Sequence, residues 1–190
     1  VWLFYVTVTT GGWSGSSINY ATSSDEGLTW SRPARIVAGP LLNMGTLVRC
    51  APVLYTDGTI GLPVYNECIG KFGEFIRMGA DGSVLDKSRI SWGRSSLQPS
   101  VVPMEPKWAI AYLRQSGSQH RRILRSDSDD GGRTWGGAWN TALPNPDSAV
   151  MALRARDGTL LLVYNSLEVD RDVLSLARSD DRGRTWRDIY

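Results

Sequence analysis

Histidine is nearly missing from these 190 residues, and cysteine is scarce. The one histidine, His120, ends a polar loop beside Arg121 and Arg122. It reads either as a solvated loop residue or as a catalytic base. With no second His or Cys at ligand spacing, a zinc site is not expected. Cys50 and Cys68 do not face each other across the Asp57-Gly58 turn, so two buried free thiols are expected rather than a disulfide. Lysine occurs only at 71, 87 and 107, which leaves arginine to carry the positive charge. That excess suits carboxylate recognition, or it reflects a bias of the source genome. A formal net charge of +2 is too small to imply nucleic acid or an anionic membrane as partner. No apolar run approaches about 18 residues, so no membrane span is expected. No signal peptide is visible, and no phosphate-binding glycine loop, nucleophile elbow or basic-aromatic RNA motif occurs. No cofactor is expected.

Tryptophan and glycine are plentiful, with 8 and 20 copies, as in a turn-rich all-β protein. One pattern, Ser-x-Asp-x-Gly-x-Thr-Trp, occurs three times. It is spelled by Ser23, Asp25, Gly27 and Trp30, by Ser128, Asp130, Gly132 and Trp135, and by Ser179, Asp181, Gly183 and Trp186. Each copy reads as a tight turn: short Ser and Asp side chains bond local amides, Gly takes a positive φ, and Trp adds apolar cover. The interval from Ser23 to Ser128 is about twice that from Ser128 to Ser179, so a worn copy is expected midway. Asp81-Gly82 stands there. The repeat is therefore about 50 residues long and occurs four times, within the range of propeller blades.

The units run approximately over 1–38, 39–90, 91–141 and 142–190, all in one domain. Each reads as a four-stranded antiparallel meander, and stacked meanders that bury both faces make a β-propeller. The chain opens at what reads as the second strand of its first unit, so a portion of a larger propeller is expected. An open propeller exposes unpaired edges, and self-association of such a portion is expected.

Parity sorts the loops of a meander. The boxes and the Asp-Gly-Thr turns at 57–59 and 157–159 share one face and consist of turn chemistry. The other face collects the longer, more varied segments, where function is expected. Near the axis on that face stand Arg49, Glu67, Gln98, Arg114, Asn145, Asp147 and Asn165, which would converge on a central pocket. Each has a plainer alternative. Arg49 and Arg114 either serve a ligand or hold neighbouring carboxylates. Glu67 is either catalytic or a partner of Lys71 or an arginine. Asn145 and Asp147 flank Pro146 as in an ordinary turn. Tyr65, Tyr112 and Tyr164 recur near the ends of second strands and read first as packing residues.

The triple box at this spacing resembles the Asp-box, or BNR, repeats of the sialidase (neuraminidase) superfamily. Gln98-Pro99-Ser100-Val101, Leu143 to Ser148 and Leu160 to Asn165 look like its bacterial branch, and the resemblance covers essentially the whole chain. It implies a six-bladed propeller, of which about four blades are present, with the boxes away from the active site. It also implies retaining exo-hydrolysis of terminal α-linked sialic acids on glycoconjugates. Three arginines would bind the sugar carboxylate, a Tyr activated by Glu would attack, and an Asp would act as acid/base. A neutral phenol avoids the repulsion a carboxylate nucleophile would meet. Under this resemblance Arg49 and Arg114 are candidate clamp arginines and Glu67 the candidate activating residue. Gln98, Asn145, Asp147 and Asn165 would bind substrate. The family's Phe/Tyr-Arg-Ile-Pro motif is absent here, and the acid/base Asp and nucleophile Tyr are expected elsewhere. A non-catalytic propeller binding glycan or protein, or an exo-glycosidase for another sugar, fits the same scaffold. A secreted or periplasmic location is expected ahead of a cytoplasmic one.

Overall fold

The structure, a computed structural model, describes residues 1–8, 11–39, 44–68, 70–93, 95–117 and 121–190. Among the described residues every regular element is a strand, apart from one 3-10 turn at Gly12–Gly15. Four antiparallel sheets follow one another as propeller blades. Blade 1 contains β1 (Trp2–Val8), β2 (Ser16–Thr22) and β3 (Ala34–Arg35). Blade 2 has its inner strand in two pieces, β4 (Thr46–Val48) and β5 (Val53–Leu54). Both pair with β6 (Ile60–Asn66), followed outward by β7 (Phe72–Met78) and β8 (Val84–Arg89). Blade 3 runs outward through β9 (Ser96–Pro103), β10 (Ala109–Gln115), β11 (Arg122–Ser128) and β12 (Trp139–Pro144). Blade 4 is β13 (Met151–Arg154), β14 (Leu160–Asn165), β15 (Leu174–Ser179) and β16 (Arg187–Asp188). The strands expected from the β-branched and aromatic runs are present. Residues 148–150 differ: Asn145 ties them into a turn, and β13 starts only at Met151.

Successive blades bury apolar faces against each other. Ile18 and Ile36 of blade 1 meet Leu62, Val64 and Ile76 of blade 2. Phe75 meets Ala109, Ala111 and Leu113 of blade 3. Ile110, Tyr112 and Ile123 meet Leu160, Leu162 and Ala177 of blade 4. Alternation along β14 shows the sidedness: Leu160, Leu162 and Tyr164 are buried, while Val163 is exposed.

The boxes join third to fourth strands and share an end of the molecule with the 57–59 and 157–159 turns. Their bonding repeats closely. Ser179 Oγ donates to Asp181 Oδ1 at 2.8 Å and accepts from Gly183 N at 2.8 Å, while Thr185 N donates to Asp181 Oδ1 at 2.9 Å. Ser23 and Asp25, then Ser128 and Asp130, make the same set. Asp81 keeps part of it by accepting from Ser83 N at 3.0 Å.

The box is also the joint between blades. A methyl group built on Gly183 would lie 2.1 Å from Tyr112 Oη in blade 3, and one on Gly132 would lie 2.5 Å from the Phe75 ring in blade 2. The worn Gly82 sits over Tyr20 of blade 1, at 2.2 Å by the same measure. Trp135 meets Phe75 edge-on at 5.6 Å, and Trp186 meets Tyr112 edge-on at 5.7 Å. Each of these glycines therefore leaves room for an aromatic ring of the preceding blade.

The box carboxylates set an acid limit. Hydrogen bonds from the Thr29 side chain and then its backbone hold the Asp25 carboxyl at about 2, from an ordinary 3.8. Thr185 lowers Asp181 in the same way. A depressed folded-state value gives stability that is present above 3.8 and is lost as pH falls toward about 2. The melting temperature is therefore expected to hold down to mildly acid pH and then fall steeply. In calorimetry, a triple Asp25→Asn, Asp130→Asn, Asp181→Asn chain should show a shallower acid slope; an unchanged slope would contradict this assignment.

Candidate functional site

The inner strands of blades 2 and 3 are interrupted, and that of blade 4 follows a turn, on the end opposite the boxes. In blade 2, Val48 faces Val64 and Val53 faces Gly61, so the four residues 49–52 stand opposite two, Leu62 and Pro63, an excess of two. In blade 3 the register slips between Tyr112 and Arg114, at Gln98-Pro99, and Gln98 takes a left-handed φ of 52°. In blade 4 Asp147 has φ 56° just before β13. Bulges of this kind re-aim side chains, and two non-glycine residues in the left-handed region over a few Å mark a backbone shaped for something other than stability.

What they aim is arginine. Arg49, Gln98, Arg114, Asn165 and Arg171 line a cavity of about 400 Å³, with Ser148 to Met151 as its wall. Three guanidinium groups and no carboxylate contribute to that lining, among the described residues. Arg114 is held by two side chains. Its Nε donates to Asp147 Oδ1 at 2.7 Å and its Nη1 to Gln98 Oε1 at 3.3 Å. The two left-handed residues thus grip one arginine from both sides. Arg171 donates to the carbonyls of Pro146 and Asp147. Its own carbonyl accepts from Asn165 Nδ2 at 2.9 Å. Cys50 is buried at the meeting of the three inner strands, its thiol 3.9 Å from the Gln98 carbonyl and 3.8 Å from that of Val150. Burial pushes that thiol up, so it stays neutral. A larger, more apolar cavity of about 520 Å³ follows the same inner strands toward the box end, but polar groups do not converge there as they do around Arg114.

Tyr65 borders the arginine cavity through Gln98, whose Nε2 lies 3.5 Å from the phenol oxygen. Burial raises the phenol, the bond from Gln98 opposes this, and the charge of nearby Glu67 raises it further. At neutral pH Tyr65 is therefore a neutral hydrogen-bonding group.

Of the residues expected at a pocket, Arg49, Gln98, Arg114 and Asn165 line one cavity, and Asp147 orients Arg114 from its edge. Glu67 stands half-buried beside Tyr65 and outside the lining. Asn145 is fully buried; its amide is taken by Gln115 N and by both backbone groups of Ser148, so it builds the turn beneath the cavity. His120 lies outside the described residues. Both cysteines are free, but Cys68 is exposed rather than buried, because the 2→3 loop of blade 2 carries it to the surface. Two residues were missed. Arg171 sits in a varied loop with no period to mark it, and Tyr65 shares a second-strand tyrosine pattern with Tyr112, which packs between blades, and Tyr164, whose hydroxyl donates to Asp188 Oδ1 at 2.9 Å.

The chain matches the BNR repeat-like domain over residues 1–190. It belongs to that family. The fold of this BNR repeat-like protein is the one seen in sialidases. It superposes on the NanB sialidase of Streptococcus pneumoniae with a TM-score of 0.74 at 14% identity, over 90% of this chain and 28% of that one. A Hadza microbial sialidase, Hz136, gives 0.76 at 18% identity over 97% and 41%. A Dyadobacter fermentans protein of unknown function gives 0.73 at 15% identity over 96% and 54%. The BNR repeat-like chain thus spans between about a quarter and just over half of these proteins. No curated protein matches it. Among the described residues, no helix is long and apolar enough to cross a membrane, and no group of three His, Cys, Asp or Glu stands together to hold a metal ion.

Proposed function

We propose that the arginine cavity binds the carboxylate of a terminal acidic sugar, and that the chain is part of an exo-sialidase-like glycoside hydrolase. One observation carries this reading: Arg49, Arg114 and Arg171, from three different segments, line a single cavity, and among the described residues one carboxylate, that of Asp147, pairs with them. Three like charges with one paired carboxylate leave a positive excess that favours an anion, and planar guanidinium groups match a carboxylate with paired hydrogen bonds. Asp147 takes Nε of Arg114 and Gln98 takes Nη1, which leaves Nη2 for a ligand. The Asn165 Nδ2 holds the Arg171 segment at the cavity, and the neutral Tyr65 phenol stands at the margin beside Glu67. The sialidase fold of the structural neighbours supports the same substrate class.

A second reading is binding without hydrolysis. Gln98 favours it, because an amide rather than a carboxylate is what stands against Tyr65, and an amide cannot take the phenol proton. The two separate in one experiment. The full-length protein is incubated with a fluorogenic sialoside and a panel of nitrophenyl glycosides, and binding of N-acetylneuraminic acid is measured in parallel. Turnover that Arg114→Ala abolishes establishes the hydrolase. Arginine-dependent binding without turnover leaves the glycan-binding reading, and turnover of a different glycoside moves the substrate to another sugar.

A further inference from the structure

Trp92 is 76% exposed, an unusual state for the largest apolar side chain. It is nevertheless held. The Arg89 guanidinium carbon lies 3.8 Å from the centroid of the buried Phe72 ring and 5.3 Å from that of Trp92, so one cation bridges the two rings. The loop that carries Trp92 is pinned at its base. Ser91 Oγ accepts from Gly73 N at 3.2 Å and bonds Ser96 Oγ, and Ser96 N donates to the Lys71 carbonyl at 3.4 Å. A pinned, cation-backed indole facing solvent is a preorganised surface.

Register places it relative to the arginine cavity. Tyr65 pairs with Gly73 in the next strand, and the Gly73 carbonyl accepts from Ile90 N at 2.9 Å. Two strand spacings therefore separate Tyr65 from Ile90, roughly 10 Å, and Trp92 follows two residues later on the same end of the blade. A chain of a few linked sugar rings can therefore reach from the cavity margin to the loop that carries Trp92.

Resting on the reading of the cavity above, we propose that Trp92 is a stacking platform for a neutral sugar ring of the glycan whose acidic terminus sits among Arg49, Arg114 and Arg171. A pyranose presents a face of C–H groups, positive at their edge, to the negative face of an indole, which needs flat aromatic area and no charge. Arg89 on one side fixes the ring and leaves the other side for the sugar.

The test uses the full-length protein with indole ¹⁵N labelling, the Trp92 signal being assigned by its loss in Trp92→Phe. Lactose, N-acetylneuraminic acid and 3′-sialyllactose are titrated separately. Lactose and sialyllactose are expected to shift the Trp92 signal, and Trp92→Ala to weaken sialyllactose about fivefold to tenfold while leaving the monosaccharide unchanged. A Trp92 signal unmoved by saturating lactose and sialyllactose overturns the platform, as does a Trp92→Ala chain that binds sialyllactose as tightly as the parent. Failure of the cavity reading looks different. N-acetylneuraminic acid would then fail to bind while lactose still moves Trp92, which keeps the platform and removes the arginine site.

Discussion

A Gly183→Ala chain is expected to melt about 10 °C below the parent. Two costs combine. Gly183 has φ 77°, where an alanine is strained by roughly 1 kcal/mol. The added carbon would also lie 2.1 Å from Tyr112 Oη and 3.0 Å from Arg125 Nη1. Overpacking of this sort costs about 1–3 kcal/mol. Neither neighbour can withdraw easily: Tyr112 is fully buried, and Arg125 is held by Asp127 at 2.7 Å and by the carbonyls of Arg182 and Gly183. A sum of about 3 kcal/mol converts at roughly 2–4 °C per kcal/mol for a domain of this size. Gly58→Ala is the control, with φ 82° and nothing within 4 Å, and should lose only the backbone part. Adding Tyr112→Phe to Gly183→Ala removes the nearest atom and should recover part of the loss in thermal unfolding. Equal losses for Gly58→Ala and Gly183→Ala would refute the interlock between blades.

Arg114→Ala should weaken binding of N-acetylneuraminic acid by about 100-fold, because a charge-assisted pair of hydrogen bonds contributes about 3 kcal/mol. Arg114→Lys should recover little. An ammonium cannot span the Asp147 and Gln98 oxygens and still offer a second edge to a ligand. Asp147→Asn should do less harm than either, since the ion pair is partly in water and an amide oxygen still accepts from Nε. The order Arg114→Ala, Arg114→Lys, Asp147→Asn, read by calorimetric titration, is the expected result. A carboxylate sugar that binds equally to all three chains would place its site elsewhere.

Much of the fold was legible because a repeat states itself several times. The box named its own hydrogen bonds, and Ser179, Asp181, Gly183 and Thr185 make the ones their types imply. Parity then assigned the boxes to one end and Arg49, Gln98 and Arg114 to the other without any coordinates. The limits have physical causes. Nothing in the local sequence says that Gly183 must admit Tyr112, since the ring comes from a different blade. Asn145 and Asn165 look alike as polar residues at strand ends, yet one is fully buried beneath the cavity and the other lines it while its Nδ2 holds the carbonyls of Arg171 and Val173. Tyr65, Tyr112 and Tyr164 look alike as well. Tyr112 and Tyr164 pack between blades 3 and 4, the Tyr164 hydroxyl donating to Asp188 of its own blade, while the Tyr65 hydroxyl meets Gln98 of the next blade.

By itself, then, the sequence determined the strand-and-turn alphabet of this protein: the box chemistry, the period of about 50 residues and the end of the blades on which polar side chains gather. Those are matters of short-range hydrogen bonding and alternation, which a few neighbouring residues settle. Only the tertiary structure decided which arginines meet. Arg49, Arg114 and Arg171 come from three blades, and their convergence depends on how inner strands bulge and how blades pack about an axis. Coulomb repulsion among them is tolerated because rigid ladders and the grips of Asp147, Gln98 and the Pro146 carbonyl hold them there.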